Sequence, residues 1–249
     1  MASRDDHHRG EVLWEPPADA WTATAAGRFA IAHGHRSYAD LHAWSVGDLD
    51  GFWTAVADDL GVRWHDHPTV ALADASMPGA RWFPGGTLSY AEHALAAAAD
   101  RPDEVAVVAR SQTRGPIELT WGELADQVAR CAAGLRRLGV EPGDRVAAYA
   151  PNIPETLVAF LAAASIGAIW SSCAPEFGTR SVIDRLSQIE PTVLLAVDGY
   201  RYGVKAIDRT AEVAAIEAAL PSLRHTVRLP YLDPASADGW TDLLGGPDP

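Results

Sequence analysis

The apolar positions fall into two regimes. From Tyr90 onward, short apolar runs alternate with longer stretches at helical spacing; before it the pattern is weaker. "YAEHALAAAA" reads as a helix that stops before Pro102. "EVAVVA" and "IELTW" read as strands joined by the Arg114-Gly115-Pro116 turn. "TWGELADQVARCAAGLRRLGV" predicts a helix with Leu124, Val128, Cys131 and Leu135 on its apolar face and Gly139 at its end. Two units of one kind follow. The strand "DRVAAYA" leads through "PNIPE" into the helix "ETLVAFLAAASI", which Gly167 ends. The strand "AIWSS" leads through the loop "CAPEFGT" into the helix "RSVIDRLSQI". "TVLLAV" is the next strand, "DGYRYGVK" a loop, "TAEVAAIEAAL" a helix and "HTVRL" a short strand. The end, "DPASADGWTDLLGGPDP", reads as loop. Strand-helix-strand-helix-strand at this spacing predicts an α/β fold, a parallel sheet with right-handed crossovers and flanking helices.

Upstream, residues Met1 to Arg36 are polar and rich in Pro and Ala, and read as an irregular arm. "YADLHAWSVGDLDGFWTAVADDLGV" predicts an amphipathic helix. Ser45 is its candidate N-cap, with Asp48 three residues on and a stripe of Leu49, Phe52, Trp53 and Val56. Trp44 and Trp53 are expected to pack it onto a larger body. The change of pattern divides the chain into an N-terminal extension, 1–88, and an α/β region, 89–249.

The geometry matters for chemistry because parallel strands end on one edge. "PNIPE", "CAPEFGT" and "DGYRYGVK" therefore share a rim, where open α/β sheets bind ligands and helix N-termini favour anions. Every α/β protein has such a rim, and most of its loops merely turn. A net charge of -13 excludes a general nucleic-acid surface. It leaves room for small anions held by a few local donors. Cys131 and Cys173 are too few for a disulfide framework, so a reducing, cytoplasmic setting is expected. "MASRDDHHRG" lacks the apolar core of a signal peptide. "LVAFLAAASIGAIW" falls short of the about 20 residues a membrane span requires.

Individual motifs narrow the choice. Ser171, Ser172 and Cys173 look like nucleophiles, but no histidine lies near them in sequence and no G-x-S-x-G is present. A small residue that packs or lines a pocket is the simpler reading of Cys173; a Cys-dependent transferase is the rival. "DGYRYGVK" is no Walker A loop, since three residues separate Gly199 from Gly203 and Val204 precedes the lysine. Arg201 and Lys205, the sole lysine, are nonetheless apt for a phosphate, against the simpler view of two solvated cations. No G-x-G-x-x-G follows a strand. His33/His35 and His65/His67 form H-x-H pairs without a third ligand at metal spacing.

Four stretches together carry a resemblance: "YADLHAWSVGDLDGFW", "RWFPGGTLSYAEH", "YAPNIPETLVAFLAAASIGAIWSSCAPEFGTRSVIDRLSQIEP" and "GYRYGVK". In this order they resemble the N-terminal part of the acetoacetate–CoA ligases (acetoacetyl-CoA synthetases), in the acyl-adenylate-forming, AMP-binding superfamily with acetyl-CoA synthetase. The resemblance implies an acid–thiol ligase of lipid and ketone-body metabolism using ATP, CoA and Mg2+. Carboxylate attacks the ATP α-phosphate, giving acyl-AMP and diphosphate; the CoA thiol then displaces AMP. It implies CoA binding by Arg201, Gly203, Lys205, Ala174 and Pro175, and an acyl-pocket wall at Ser172 and Cys173. A second basic position of the family's CoA loop falls on Val204, with Lys205 the candidate substitute. Ser89 and His93 stand where asparagines are expected, and Ala174 where serine is usual. The Ser/Thr/Gly-rich phosphate loop, the adenylate motif, the ribose-binding Asp and the catalytic lysine have no counterpart in this sequence. The chain is therefore expected to be an N-terminal portion that contributes no catalytic residue, no ATP or Mg2+ ligand, and no adenylate chemistry alone. Its partners are small molecules, acetoacetate, ATP and CoA, with no nucleic acid or membrane. The alternatives are a ligase for another short-chain acid and a non-catalytic CoA- or nucleotide-binding module.

Overall fold

A computed structural model describes residues 12–245, which form two compact units divided between Leu88 and Ser89. In the first unit the polar N-terminal arm is not wholly irregular. It contains α1 (Ala20–Ala23) and α2 (Ala25–Ala32), and the Thr24 hydroxyl accepts from the Gly27 N–H to start α2. The stretch before Val12 lies outside the described residues. The amphipathic region is two helices, α3 (Tyr38–Gly47) and α4 (Leu49–Asp59). Ser45, the expected cap, lies inside α3, where its hydroxyl donates to the His42 carbonyl. Asp48 caps α4 instead by accepting from the Gly51 N–H at 3.0 Å, because the backbone breaks there and not at Ser45. Trp44 packs among Phe29, His33, His35 and Phe52, and Trp53 sets its edge against Trp82. A short ribbon, β1 (Leu72–Asp74) with β2 (Arg81–Trp82), is tied to α4 by Asp50, which accepts from the Ala71 and Leu72 N–H groups.

The second unit opens with α5 (Tyr90–Ala94) and α6 (Ala97–Asp100), a helix interrupted where the sequence predicts one. The ribbon β3 (Val105–Ala109) and β4 (Ile117–Thr120) follows, then α7 (Trp121–Arg137). Thr120 and Glu123 form a reciprocal capping box at the start of α7, worth about 1 kcal/mol. Leu124, Val128, Cys131 and Leu135 are all buried along its inner face, as the 3.6-residue spacing requires. β5 (Arg145–Tyr149), α8 (Pro154–Ser165), β6 (Ile169–Cys173), α9 (Thr179–Leu186) and β7 (Val193–Val197) continue the predicted alternation.

Two segments depart from the pattern. "DGYRYGVK" is a ribbon, β8 (Gly199–Tyr202) paired with β9 (Lys205–Asp208), and not an open loop. After α10 (Thr210–Ala219) and β10 (His225–Leu229), the terminal stretch contains α11 (Gly239–Gly245), where Trp240 and Leu243 are buried. Two apolar anchors suffice to fix this short helix once a core is there to receive them; seven residues alone would not hold one.

The sheet runs in the order β10-β7-β5-β6 with all neighbours parallel. Strand alternation sorts its side chains into two cores. Val146, Ala148, Val193 and Leu195 pack with residues of α7, α8 and α11. Ala147, Tyr149, Leu194 and Ala196 pack with residues of α9 and α10. Leaving β5 the chain moves to one side, and leaving β7 it moves to the other. The carboxyl ends of these two neighbours therefore form the topological switch point, the crevice where open α/β sheets take ligands. Among the described residues no helix is long and apolar enough to cross a membrane.

Candidate functional site

Three segments leave the sheet at this edge: 150–153 after β5, 174–178 after β6 and the β8–β9 ribbon after β7. Tyr149 ends β5 in a run of small apolar residues and is fully buried. Its hydroxyl donates toward the carbonyls of Pro175 (2.8 Å) and Phe177 (2.9 Å) and so pins the second segment. Burial pushes the phenol pKa up, with the Arg209 charge opposing. Arg209, just past the ribbon, donates through Nε to the same Pro175 carbonyl at 2.9 Å. It also pairs with Glu212 at 2.7 Å and stacks over Tyr200. The segment after β6 is thereby bolted to the segment after β7.

A second set of anchors flanks the crevice. Glu155, in the first turn of α8, receives both guanidinium nitrogens of Arg114, which also sits 5.0 Å over the Tyr231 ring. Asp198, at the end of β7, accepts from the N–H groups of Tyr231, Leu232 and Asp233 and from the Ser236 hydroxyl, which shapes the turn after β10. Tyr149, Arg209, Arg114, Glu155 and Asp198 are not marked by the sequence. A tyrosine inside an apolar run reads as core, and apart from the contacts of Arg209 with Glu212 and Tyr200 these bonds span dozens of residues of chain. The one legible signal is Glu155, an acidic residue in the first turn of a helix.

The residues singled out by sequence are placed as follows. Cys173 is the last residue of β6, opposite Tyr149, and does not begin the loop. It is 3% exposed in the core with Tyr149, Val182 and Leu186. Burial pushes its thiol pKa up, against the opposing charge and hydrogen bond of Arg185. An activated nucleophile requires the opposite shift. Ser172 is exposed and, by strand alternation, faces the other side of the sheet from Cys173. Ala174 is half-buried and Pro175 buried beneath the two donors to its carbonyl.

Arg201, Gly203 and Lys205 are all exposed. Arg201 pairs with Ala206, and Tyr202 with Lys205, so the two cations start from opposite faces of the ribbon. Gly203 (φ +58°) is the first residue of the two-residue turn before Val204. Glycine is favoured there by turn geometry regardless of any ligand. The H-x-H residues His33 and His35 are wrapped around Trp44, and among the described residues no group of three His, Cys, Asp or Glu is placed to hold a metal.

Comparison with known proteins gives this edge a context. The profile of the AMP-binding enzymes matches residues 95–243, more than half of the chain. The chain belongs to the AMP-binding enzyme family. A second profile, the acetyl-coenzyme A synthetase N-terminus, matches residues 38–94 of this family member. Acetoacetyl-coenzyme A synthetase of Rhizobium meliloti (strain 1021) is 37% identical over 231 residues, 90% of this chain and 35% of that protein. Malonamoyl-CoA synthetase vrtB of Penicillium aethiopicum is 34% identical over 227 residues, 87% of this chain and 31% of that protein. Among solved structures, acetoacetyl-CoA synthetase from Streptomyces lividans superposes with a TM-score of 0.90 at 48% identity, covering 96% of this chain and 38% of that one. This AMP-binding family member thus spans about a third of the length of the relatives it matches.

Proposed function

We propose that this chain supplies the CoA-facing edge of an acetoacetate–CoA ligase, which converts ATP, acetoacetate and CoA to AMP, diphosphate and acetoacetyl-CoA through an acyl-adenylate. The observation that carries the reading is the likeness, over nearly the whole chain, to a solved structure named acetoacetyl-CoA synthetase. The switch-point crevice supports it, because its ribbon offers Arg201 and Lys205 to solvent in a chain of net charge -13. Cations confined to one ribbon of an otherwise acidic chain suit a compact anion better than an extended one.

In this reading Arg201 meets the phosphorylated nucleotide end of CoA through its planar, multi-donor guanidinium, and Lys205 adds a mobile point charge. Pro175 and Ala174 form the adjoining backbone wall, held in place by Tyr149 and Arg209. Ser172 and Cys173 are assigned to the acyl side of that wall, Ser172 from the exposed face of β6 and Cys173 only as packing behind it. ATP and Mg2+ serve the reaction's phosphate chemistry; the described residues hold no cluster that fits the metal, so no step is assigned to it.

A chimera tests the proposal. This chain replaces the matching part of the Streptomyces lividans enzyme, and acetoacetate-dependent AMP release is measured. Activity is expected, with Arg201→Ala raising KM for CoA about tenfold and leaving adenylate formation intact. A folded chimera that uses no acetoacetate overturns the reading.

The malonamoyl-CoA synthetase relative favours one specific alternative. Malonamate and acetoacetate differ by NH2 against CH3 at one end, so a preference for malonamate in the same assay would reassign the acid while keeping the ligase.

A further inference from the structure

The ribbon carrying Arg201 is rooted at one end only. Gly199 and Tyr200 are buried, whereas Tyr202 is 73% and Val204 95% exposed. Two strands alone do not hold such a tip in one place. Something else reaches it. In the loop between β3 and β4, the Thr113 hydroxyl accepts from the Arg201 N–H at 3.0 Å, and the Gln112 Oε1 accepts from the Gly203 N–H at 2.8 Å. N–H groups two residues apart leave a strand on the same edge. Two adjacent loop residues thus cover the free edge of β8 on either side of its tip.

That loop is itself fixed. The Ser111 hydroxyl accepts from the N–H groups of Thr113 and Arg114 and closes a tight turn. Arg114 then anchors the turn to Glu155 of α8 and to the Tyr231 ring, both at the carboxyl edge of the sheet. The path runs from partly buried ion pair to turn to two acceptors to the backbone of Arg201. The acceptors touch the backbone and leave the guanidinium free.

We infer that Gln112 and Thr113 are positioning residues, which hold the Arg201 backbone before the crevice and thereby set how well the protein distinguishes a nucleotide with a 3′-phosphate from one without. The inference rests on the CoA reading above. Gln112 and Thr113 make no contact with ligand in this scheme; they act through Arg201.

The test has two arms on the full chain. Hydrogen exchange is followed in residues 199–206 for the parent, for Gln112→Met/Thr113→Val, which keeps size and removes both acceptors, and for Gln112→Glu/Thr113→Ser, which keeps them. Affinity for CoA is compared with that for dephospho-CoA, which lacks the 3′-phosphate, in the same proteins and in Arg201→Ala. The expected result is exchange about tenfold faster in 199–206 for the Met/Val variant with the rest of the chain unchanged. Its CoA to dephospho-CoA ratio should fall to that of Arg201→Ala, and Glu/Ser should restore both. Unchanged exchange overturns the latch, whatever the ligand does. Faster exchange with a retained ratio overturns the positioning role and leaves a structural tie only. A parent that binds CoA and dephospho-CoA equally overturns the CoA reading and the positioning role together, while the exchange arm still reports on the latch.

Discussion

The segment after β6 and the ribbon after β7 both leave the same sheet edge, yet they are held by opposite means. Residues 174–178 are pinned from beneath, by the hydroxyl of fully buried Tyr149 and the partly buried Arg209 guanidinium converging on one carbonyl. The ribbon is held from the side, by two exposed bonds to Gln112 and Thr113. Hydrogen bonds in a low-dielectric interior are costly to leave unmade, whereas exposed ones exchange readily with water. One edge therefore contains a fixed wall and an adjustable arm. Under the proposed function, that division suits a crevice whose shape persists while the Arg201 side chain is aimed.

The strongest challenge to this division is at the root of the ribbon, where the arm becomes rigid. A Cβ on Gly199 would lie 2.4 Å from the Ile207 carbonyl oxygen and 2.6 Å from Leu232 Cδ2. Backbone cannot move aside as a side-chain tip can, so Gly199→Ala is expected to cost about 3 kcal/mol by overpacking. Urea unfolding monitored by circular dichroism measures it; a loss under ~0.5 kcal/mol would show that the root yields and that the whole ribbon is mobile.

Next in size is Tyr149→Phe. It leaves the Phe177 carbonyl without its donor and the Pro175 carbonyl with Arg209 alone, and should cost about 2 kcal/mol. The pH dependence has a defined sign. Burial raises the folded-state pKa of Tyr149 above the ordinary value of 10.0, so its contribution is complete below pH 10 and is lost as pH rises through the raised value. Unfolding midpoints for the parent should fall more steeply above about pH 10 than those of Tyr149→Phe. Parallel curves would mean that the phenol is not what fixes the wall.

How much of this could be read from sequence follows from the same distinction between local and distant causes. The units from α7 to β7 are legible because period and breakers agree: Leu124, Val128, Cys131 and Leu135 mark one helix face, and "TVLLAV" is buried on both sides as a central parallel strand should be. Where a short element depends on something far off, the signal fails. α11 is held by Trp240 and Leu243 in a core built about a hundred residues earlier, and Ser45 and Asp48 are equally good caps until the backbone decides. The site divides likewise. Arg201 and Pro175 could be named from the resemblance, but Tyr149, Arg209, Gln112 and Thr113 could not. Their partners lie 26, 34, 91 and 88 residues away.

A smaller effect separates the wall from the chemistry its residue types suggest. Cys173→Ala removes a buried sulfur from the core beside Val182 and Leu186 and should cost about 1 kcal/mol with the fold retained. Burial raises both thiols, Cys131 to about 12, while Arg185 partly offsets the shift at Cys173. Iodoacetamide at about pH 8 should therefore label Cys173 more slowly than a free thiol, and Cys131 in the native chain more slowly still. Rapid labelling of Cys173 would revive the nucleophile.

The smallest structural effect is expected where the functional one is proposed to be large. Arg201→Ala removes an exposed side chain whose backbone N–H keeps its bond to Thr113, so stability should change by less than ~0.5 kcal/mol. Tyr149→Phe should do the reverse, weakening the fold while altering the response to the 3′-phosphate little. Stability and the CoA to dephospho-CoA ratio are measured in the two single variants and in the double variant. If wall and arm are separate devices, both effects add in the double variant. Strong non-additivity would mean that Arg209, which touches the wall carbonyl and stands beside the ribbon, couples them into one.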